Sequence, residues 1–279
     1  MKMKMLIPTD GSDSGNIALR YGLYIASKFD ATITGLHVID VYLIQGPITT
    51  DISGAVGMPP YDGFFEAIET SLQEKAQFIL KDFQERCRKS GFVAEVKTTT
   101  GKIDEIIAEE AQEADLVLMA KKGEHFHLKE GGLLGSVAES VIRHCGKPVM
   151  VTPEKFYEIE SMGIAYDGSE PAKKALKLSL EISGHAAWPL TVVIITTDAK
   201  KADKLCTEAE ELAGRSSADC EMVVLQGKES EAILKFIHEG SVELMVMGAY
   251  GHNRLRELFL GSTTSNVIRK SSIPVLLTR

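Results

Sequence analysis

The stretch MLIPTDGS at residues 5–12 returns as MGIAYDGS at 162–169. Each is a short apolar run that closes in Asp-Gly-Ser before an amphipathic stretch, the pattern of a buried strand, a tight turn and a helix start. The echo continues downstream. TGKIDEIIAEEAQEADLVLMA at 100–120 answers QGKESEAILKFIHEGSVELMVMG at 226–248, and GSVAESVIRHCGKPVMVTP at 135–153 answers GSTTSNVIRKSSIPVLLTR at 261–279 without a gap. Internal repetition of this length decides the architecture. It divides the chain into two homologous domains, about 1–155 and 160–279, joined by EKFYEIES at 154–161.

Within the first repeat, apolar strands are expected at 4–9, 31–39, 92–99, 115–120 and 148–152, alternating with helical stretches. Ile17, Tyr21, Tyr24 and Ile25 share one helix face, and Phe65, Ile68, Leu72, Ala76, Ile79, Phe83 and Cys87 recur at three and four over a long second helix. Strands alternating with helices read as α/β with a parallel sheet and helices on both faces, with ligands at the carboxyl ends of the strands where the strand order reverses. The first repeat is the longer. Its extra length falls mostly at 41–64, VYLIQGPITTDISGAVGMPPYDGF, which has Gly and Pro but no helical or strand period and reads as a long loop or lid. The last strands, at 148–152 and 274–278, could pair antiparallel within one chain and cover both edges, making an intramolecular pseudo-dimer.

With 279 residues, 44% hydrophobic and 25% charged, the chain has the composition of a globular protein of about two domains. The net charge of −8 supplies no basic face for a duplex, so nucleic acid is not an expected partner, while a small anion held by a few backbone amides is compatible. Cys87, Cys145, Cys206 and Cys220 show no CxxC spacing, and MKMKMLIPTD contains no signal-peptide apolar run, which places the expectation in the reducing cytoplasm. Runs such as LTVVII at 190–195 are strand length, so no membrane span is expected.

Asp10 and Asp167 close the first strand of each repeat, and Ser12 or Ser169 follows as a possible cap of the next helix. The fourth strand of the second repeat opens into GAYGHNRLRELFLGS, with Gly248, Gly251 and Gly261 before Ser262. The first two glycines would let the backbone approach a ligand, and Gly261-Ser262 at a helix start would offer N–H groups and a hydroxyl to phosphate oxygens. An adenosine could then sit by the Asp with its phosphates on the glycine loop.

These features together resemble the universal stress protein family in its tandem form, over nearly the whole chain. DGS after the first strand, the MG-x2-G-x9-GS pattern at 247–262, VIR at 267–269 and IPVLL at 273–277 carry the resemblance. It implies two Rossmann-like domains related by a pseudo-two-fold axis, each a five-stranded parallel sheet covered by helices. One branch of the family binds ATP through the glycine loop and another has lost it. The resemblance therefore implies ATP, or AMP or ADP, with Mg2+, at Asp167, Gly248, Gly251, Gly261 and Ser262, with Met247 and Thr263 beside them. In the first repeat Pro8, Thr9 and Asp10 match the family's first-strand end, His37 and Val38 its second, and Gly135, Ser136 and Val137 its phosphate turn. There Ala120 replaces the first loop glycine, and eleven residues rather than nine separate Gly123 from Gly135. The second repeat keeps the loop but has Ala165-Tyr166 before Asp167 and Ile195-Thr196 in place of His-Val. Because phosphate contacts depend on backbone spacing, the expectation favours the second repeat.

Other chemistries are disfavoured. Gly101-Lys102 and Gly227-Lys228 lack the following Ser or Thr of a P-loop, and GxGxxG after a strand, HExxH and GxSxG are missing. His125 and His127 are two ligands without a third, and Lys121 and Lys122 read as solvated. No nucleophile with a base and an orienting group is legible. The expected role is a non-catalytic, nucleotide-binding stress-response module read by a protein partner. A nucleotide-independent interaction module and a slow ATP hydrolase are the alternatives, and two such chains could associate further as a homodimer.

Overall fold

The computed structural model describes residues 2–45, 64–123, 134–214, 220–249 and 260–278. The first repeat runs β1 (Lys4–Pro8), α1 (Asp13–Phe29), β2 (Thr32–Asp40), α2 (Val41–Gln45), α3 (Phe64–Lys89), β3 (Ala94–Gly101), α4 (Ile103–Glu110), β4 (Leu116–Ala120), α5 (Ser136–His144) and β5 (Val149–Thr152). The second runs β6 (Met162–Ala165), α6 (Glu170–Ala186), β7 (Leu190–Ile195), α7 (Ala199–Ala213), β8 (Cys220–Leu225), α8 (Glu229–His238), β9 (Leu244–Gly248), α9 (Ser262–Lys270) and β10 (Val275–Thr278). The expected loop at 41–64 begins instead with the short helix α2, and Phe64 already belongs to α3; 46–63 lie outside the described residues.

All ten strands form one sheet in the order β3-β2-β1-β4-β5-β10-β9-β6-β7-β8. Each half is parallel, and the halves meet where β5 and β10 pair antiparallel, with Met150 opposite Leu276 and Val151 opposite Val275. That pairing is the one expected for the two closing strands. It continues the hydrogen-bond ladder across the pseudo-two-fold and removes two edges that would otherwise be exposed.

The strands alternate between two core layers, as a sheet covered on both faces requires. Met5 and Ile7 of β1 enter a layer shared with α1, α3, α6 and α7, whereas Leu6 enters the layer of α4, α5, α8 and α9. Both layers run through both repeats. Each DGS turn starts its helix in the same way. Gly11 and Gly168 take φ of +79° and +78°, a conformation that favours glycine, and Ser12 and Ser169 accept the N–H of Gly15 and Ala172 at 3.1 and 3.3 Å. The connecting segment is anchored across the seam. Ile159 is fully buried, Tyr24 donates its hydroxyl to the Ile159 carbonyl at 2.7 Å, and Phe156 packs on Tyr21 with ring centroids 4.8 Å apart. Among the described residues, no helix is long and apolar enough to cross a membrane.

Candidate functional site

In the first half of the sheet β1 lies between β2 and β4, so the chain order reverses there and a crevice opens beyond the strand ends. It holds a cavity of about 440 Å³ lined by Thr9, Asp10, Val38, Asp40, Gly123 and Ser136 among others, a size suited to a small molecule. Pro8 ends β1 and also lines the crevice. Thr9 extends the ladder beyond it by donating its N–H to Leu36 at 2.8 Å, and His37 Nδ1 lies 2.8 Å from the Thr9 carbonyl. A carbonyl only accepts, so Nδ1 carries the hydrogen and the imidazole fixes the strand end. Asp10 Oδ1 accepts the N–H of Ser12 at 3.0 Å, which orients the carboxylate at the crevice mouth.

The facing wall is the start of α5. Gly135 caps it without any side-chain hydrogen bond, and Ser136, Val137 and Ala138 line the cavity. The first N–H groups of a helix lack intrahelical partners and carry the positive end of its dipole, so this end suits an anion. The extra residues between Gly123 and Gly135 do not displace it. Gly135 donates its N–H to the Lys121 carbonyl at 2.7 Å, which holds the start of α5 beside the end of β4. Lys121 itself corrects the expectation of a solvated side chain. It is 7% exposed, its ammonium donates to the Ser271 carbonyl of the second repeat, and burial pushes its pKa down to about 8. Lys122 pairs with Glu154 at 3.0 Å.

Glycine at the first loop position has a packing role in the second repeat. A side chain on Gly248 would lie 2.9 Å from the carbonyl carbon and Cβ of Pro171 and 3.0 Å from the Ala172 nitrogen, so glycine there lets α6 approach β9. Counted from the capping serines, the matching position on α1 is Gly15, where a Cβ would lie 3.1 Å from Asp10 Oδ1. Gly123 has a different neighbour: a Cβ there would stand 2.8 Å from Asp10 Oδ2, so this glycine lets the loop cross the carboxylate.

The second repeat, where the nucleotide was expected, is built otherwise. Tyr166 takes the place of Thr9, donating its N–H to Val193 as Thr9 does to Leu36, and its ring is 2% exposed in the core beside Leu205. Burial, then the Glu208 carboxylate, push its phenol up to about 12. The same register sets Ile194-Ile195 where His37-Val38 stand, one residue earlier than the sequence comparison placed them. β7 ends at Ile195, Thr196 adds one ladder bond to the Leu225 carbonyl at 3.0 Å, and α7 starts at Ala199, so β7 stops short of the β2 strand position of Asp40. Met247 is buried in β9 and Gly248 ends that strand. Asp167 is exposed and accepts the Ser169 N–H at 2.9 Å. Gly261 caps α9 and Ser262 is its first residue, but Thr263 donates to Glu229 Oε2 at 3.2 Å. A carboxylate thus already stands beside that helix start, where the first repeat has Ile103 and Val137. Gly251, His125 and His127 lie outside the described residues.

Among the described residues no group of three His, Cys, Asp or Glu side chains could hold a metal. Sequence reading missed Gly15, Asp40 and Ile103 as crevice residues. Gly15 was discoverable by aligning the two helix starts, where glycine faces alanine.

Fold and crevice define a tandem, doubly wound α/β protein, with a strand-end crevice in the first repeat among the described residues. The model of the universal stress protein family matches residues 1–153 and 190–279, and the chain belongs to that family. It is 30% identical over 285 residues to universal stress protein Slr1230 of Synechocystis sp., covering 99% of both chains. Universal stress protein MJ0531 of Methanocaldococcus jannaschii is 35% identical over 150 residues, 53% of this chain and 80% of the relative. A universal stress protein from Archaeoglobus fulgidus has a similar solved structure, with a TM-score of 0.77 and 25% identity over 99% of this chain and 96% of that one.

Proposed function

We propose that this chain binds one adenine nucleotide, in the crevice of the first repeat, and serves as a non-catalytic stress-response module whose occupancy is read by a protein partner. The observation that carries this reading is the pairing, across one cavity of about 440 Å³, of the Asp10 carboxylate with the helix start of α5 that no side chain caps. The carboxylate accepts ribose hydroxyls, the α5 N–H groups and Ser136 take phosphate oxygens, and Val38 with Leu36 supplies an apolar wall for the base. The group fits the residues present, because the approach of Gly123 to Asp10 leaves no room for a side chain between them. Mg2+ would arrive on the nucleotide's own phosphates.

The cytoplasm is the proposed compartment, and the two-domain division at 155–160 is the proposed folding unit. His37 is engaged with the Thr9 carbonyl rather than positioned as a base, in keeping with binding without turnover. The test is Mg-ATP titration of Thr9→Tyr, which copies the second repeat's residue into the first. Loss of binding with an intact fold supports the proposal. Unchanged affinity overturns it.

A further inference from the structure

A second cavity, of about 280 Å³, lies far from the crevice, on the seam between the repeats. It collects Phe29 from the end of α1, Ile182 and His185 from α6, Trp188 before β7, and the carboxylates of Asp115 and Glu181. The aromatic side chains are mutually ordered. Phe29 meets Trp188 edge to face at 5.9 Å and stacks on His185 at 5.0 Å. Asp115 Oδ2 accepts the N–H of Lys4 at 2.9 Å, while Glu181 makes no ion pair or hydrogen bond among the described residues. Aromatic faces attract cations, and a carboxylate at the mouth of an apolar cavity adds to that attraction.

The other side of the pseudo-two-fold shows what such a seam accommodates. There Tyr21 and Tyr24 stand at the positions of Leu178 and Glu181, counted from the capping Ser12 and Ser169. They receive the Phe156 ring at 4.8 and 5.9 Å, and the Arg20 guanidinium covers that ring at 4.3 Å from its centroid. The connecting segment thus supplies one side with the Phe156 ring, and Arg20 of α1 supplies the cation that covers it. Around Trp188, which also stacks on Tyr24 at 6.3 Å, the apolar walls are kept, Glu181 stands at the position equivalent to Tyr24, and an open volume remains.

We infer that the seam cavity is a binding site for a small aromatic or alkyl amine, its hydrocarbon part between Ile182, Phe29 and Trp188 and its ammonium directed to Glu181. A volume near the lower end of ligand sites restricts the occupant to a single ring or a short chain. The site is distinct from the crevice, and its occupancy would bridge the two repeats.

The single tryptophan of the chain lines the cavity, so its fluorescence reports the site without labelling. Phenethylamine is titrated against the full chain, with 2-phenylethanol and phenylacetate as neutral and anionic counterparts. The expected result is a saturable change with affinity in the order amine, alcohol, acid. Glu181→Gln, an exposed change that spares the core, should weaken the amine by about threefold and leave the alcohol unchanged. Leu178→Phe should reduce binding of both by filling the cavity. Absence of a saturable change with the amine, or equal affinity for amine and acid, overturns the inference, as does an unaltered amine affinity in Glu181→Gln.

Discussion

Two glycines at adjoining points of the glycine loop separate packing from binding. Gly248→Ala would place a methyl group 2.9 Å from two carbon atoms of Pro171 and 3.0 Å from the Ala172 nitrogen. Neither backbone nor a pyrrolidine ring can rotate away, so α6 must move off the sheet. Such overpacking costs ~1–3 kcal/mol, and each kcal/mol lowers the melting temperature by ~2–4 °C in a domain of this size class. Nucleotide affinity should not change, because the proposed crevice lies in the other repeat. Gly123→Ala meets only the end of a side chain, Asp10 Oδ2 at 2.8 Å, with the next atom, Asp10 Cγ, at 3.9 Å. The carboxylate can swing aside, so stability should hold. Its hydrogen bond to the ligand is then lost, a charge-assisted bond worth ~1.5–3 kcal/mol, or roughly 10- to 150-fold in Kd. Scanning calorimetry and isothermal titration with Mg-ATP on both variants supply the two readouts. The reasoning is refuted if Gly248→Ala loses nucleotide at unchanged stability, or if Gly123→Ala binds as tightly as the unaltered chain.

Three further outcomes are expected. Ile103→Glu copies the second repeat's Glu229 to the start of α4, beside the phosphate end of the crevice. A like charge at 4 Å costs ~1 kcal/mol in bulk water and ~4 kcal/mol at an effective dielectric constant of 20, so ATP affinity should fall at least ~5-fold, more than AMP affinity, with partial recovery at high salt. Lys121 has its folded pKa lowered to about 8, so the unfolded chain binds the extra proton between about pH 8 and the ordinary lysine value near 10.5. This group's contribution therefore rises with pH across that window. Because the buried Cys87 thiol, pushed up to about 11, acts in the opposite sense, the quantity to measure is the stability difference between the unaltered chain and Lys121→Met. Urea unfolding at pH 8 and 10 should show that difference moving in favour of the unaltered chain at the higher pH, and a constant difference would contradict the assignment. Ile159→Ala, truncating a fully buried residue that fastens the connecting segment, should lower stability by ~2–5 kcal/mol without changing nucleotide affinity, read by calorimetry and titration.

The fold was legible because its determinants are local and doubled. MLIPTDGS and MGIAYDGS state strand, turn and cap twice, and the apolar closing runs predicted the antiparallel junction of β5 and β10 that forms. Spacing favoured the second repeat, whereas the proposal rests on the geometry of the first. Counting residues from Gly123 to Gly135 penalised a longer loop, and the count carries no sign of the hydrogen bond from Gly135 to the Lys121 carbonyl. Tyr166 was noted as a departure from the family pattern, but its burial in the core is not visible in the sequence. Lys121 was read as solvated since nothing in its own neighbourhood announces the Ser271 carbonyl from the other repeat. The seam cavity joins residues from both halves and has no sequence signature at all.

The most direct measurement is the number of nucleotides bound per chain at saturation, by equilibrium titration of Mg-ATP into protein stripped of nucleotide. The account predicts one site, lost in Thr9→Tyr and retained when Gly261 in the second repeat is replaced by valine. One site that survives Thr9→Tyr and disappears with Gly261→Val, or two sites of similar affinity, would contradict it.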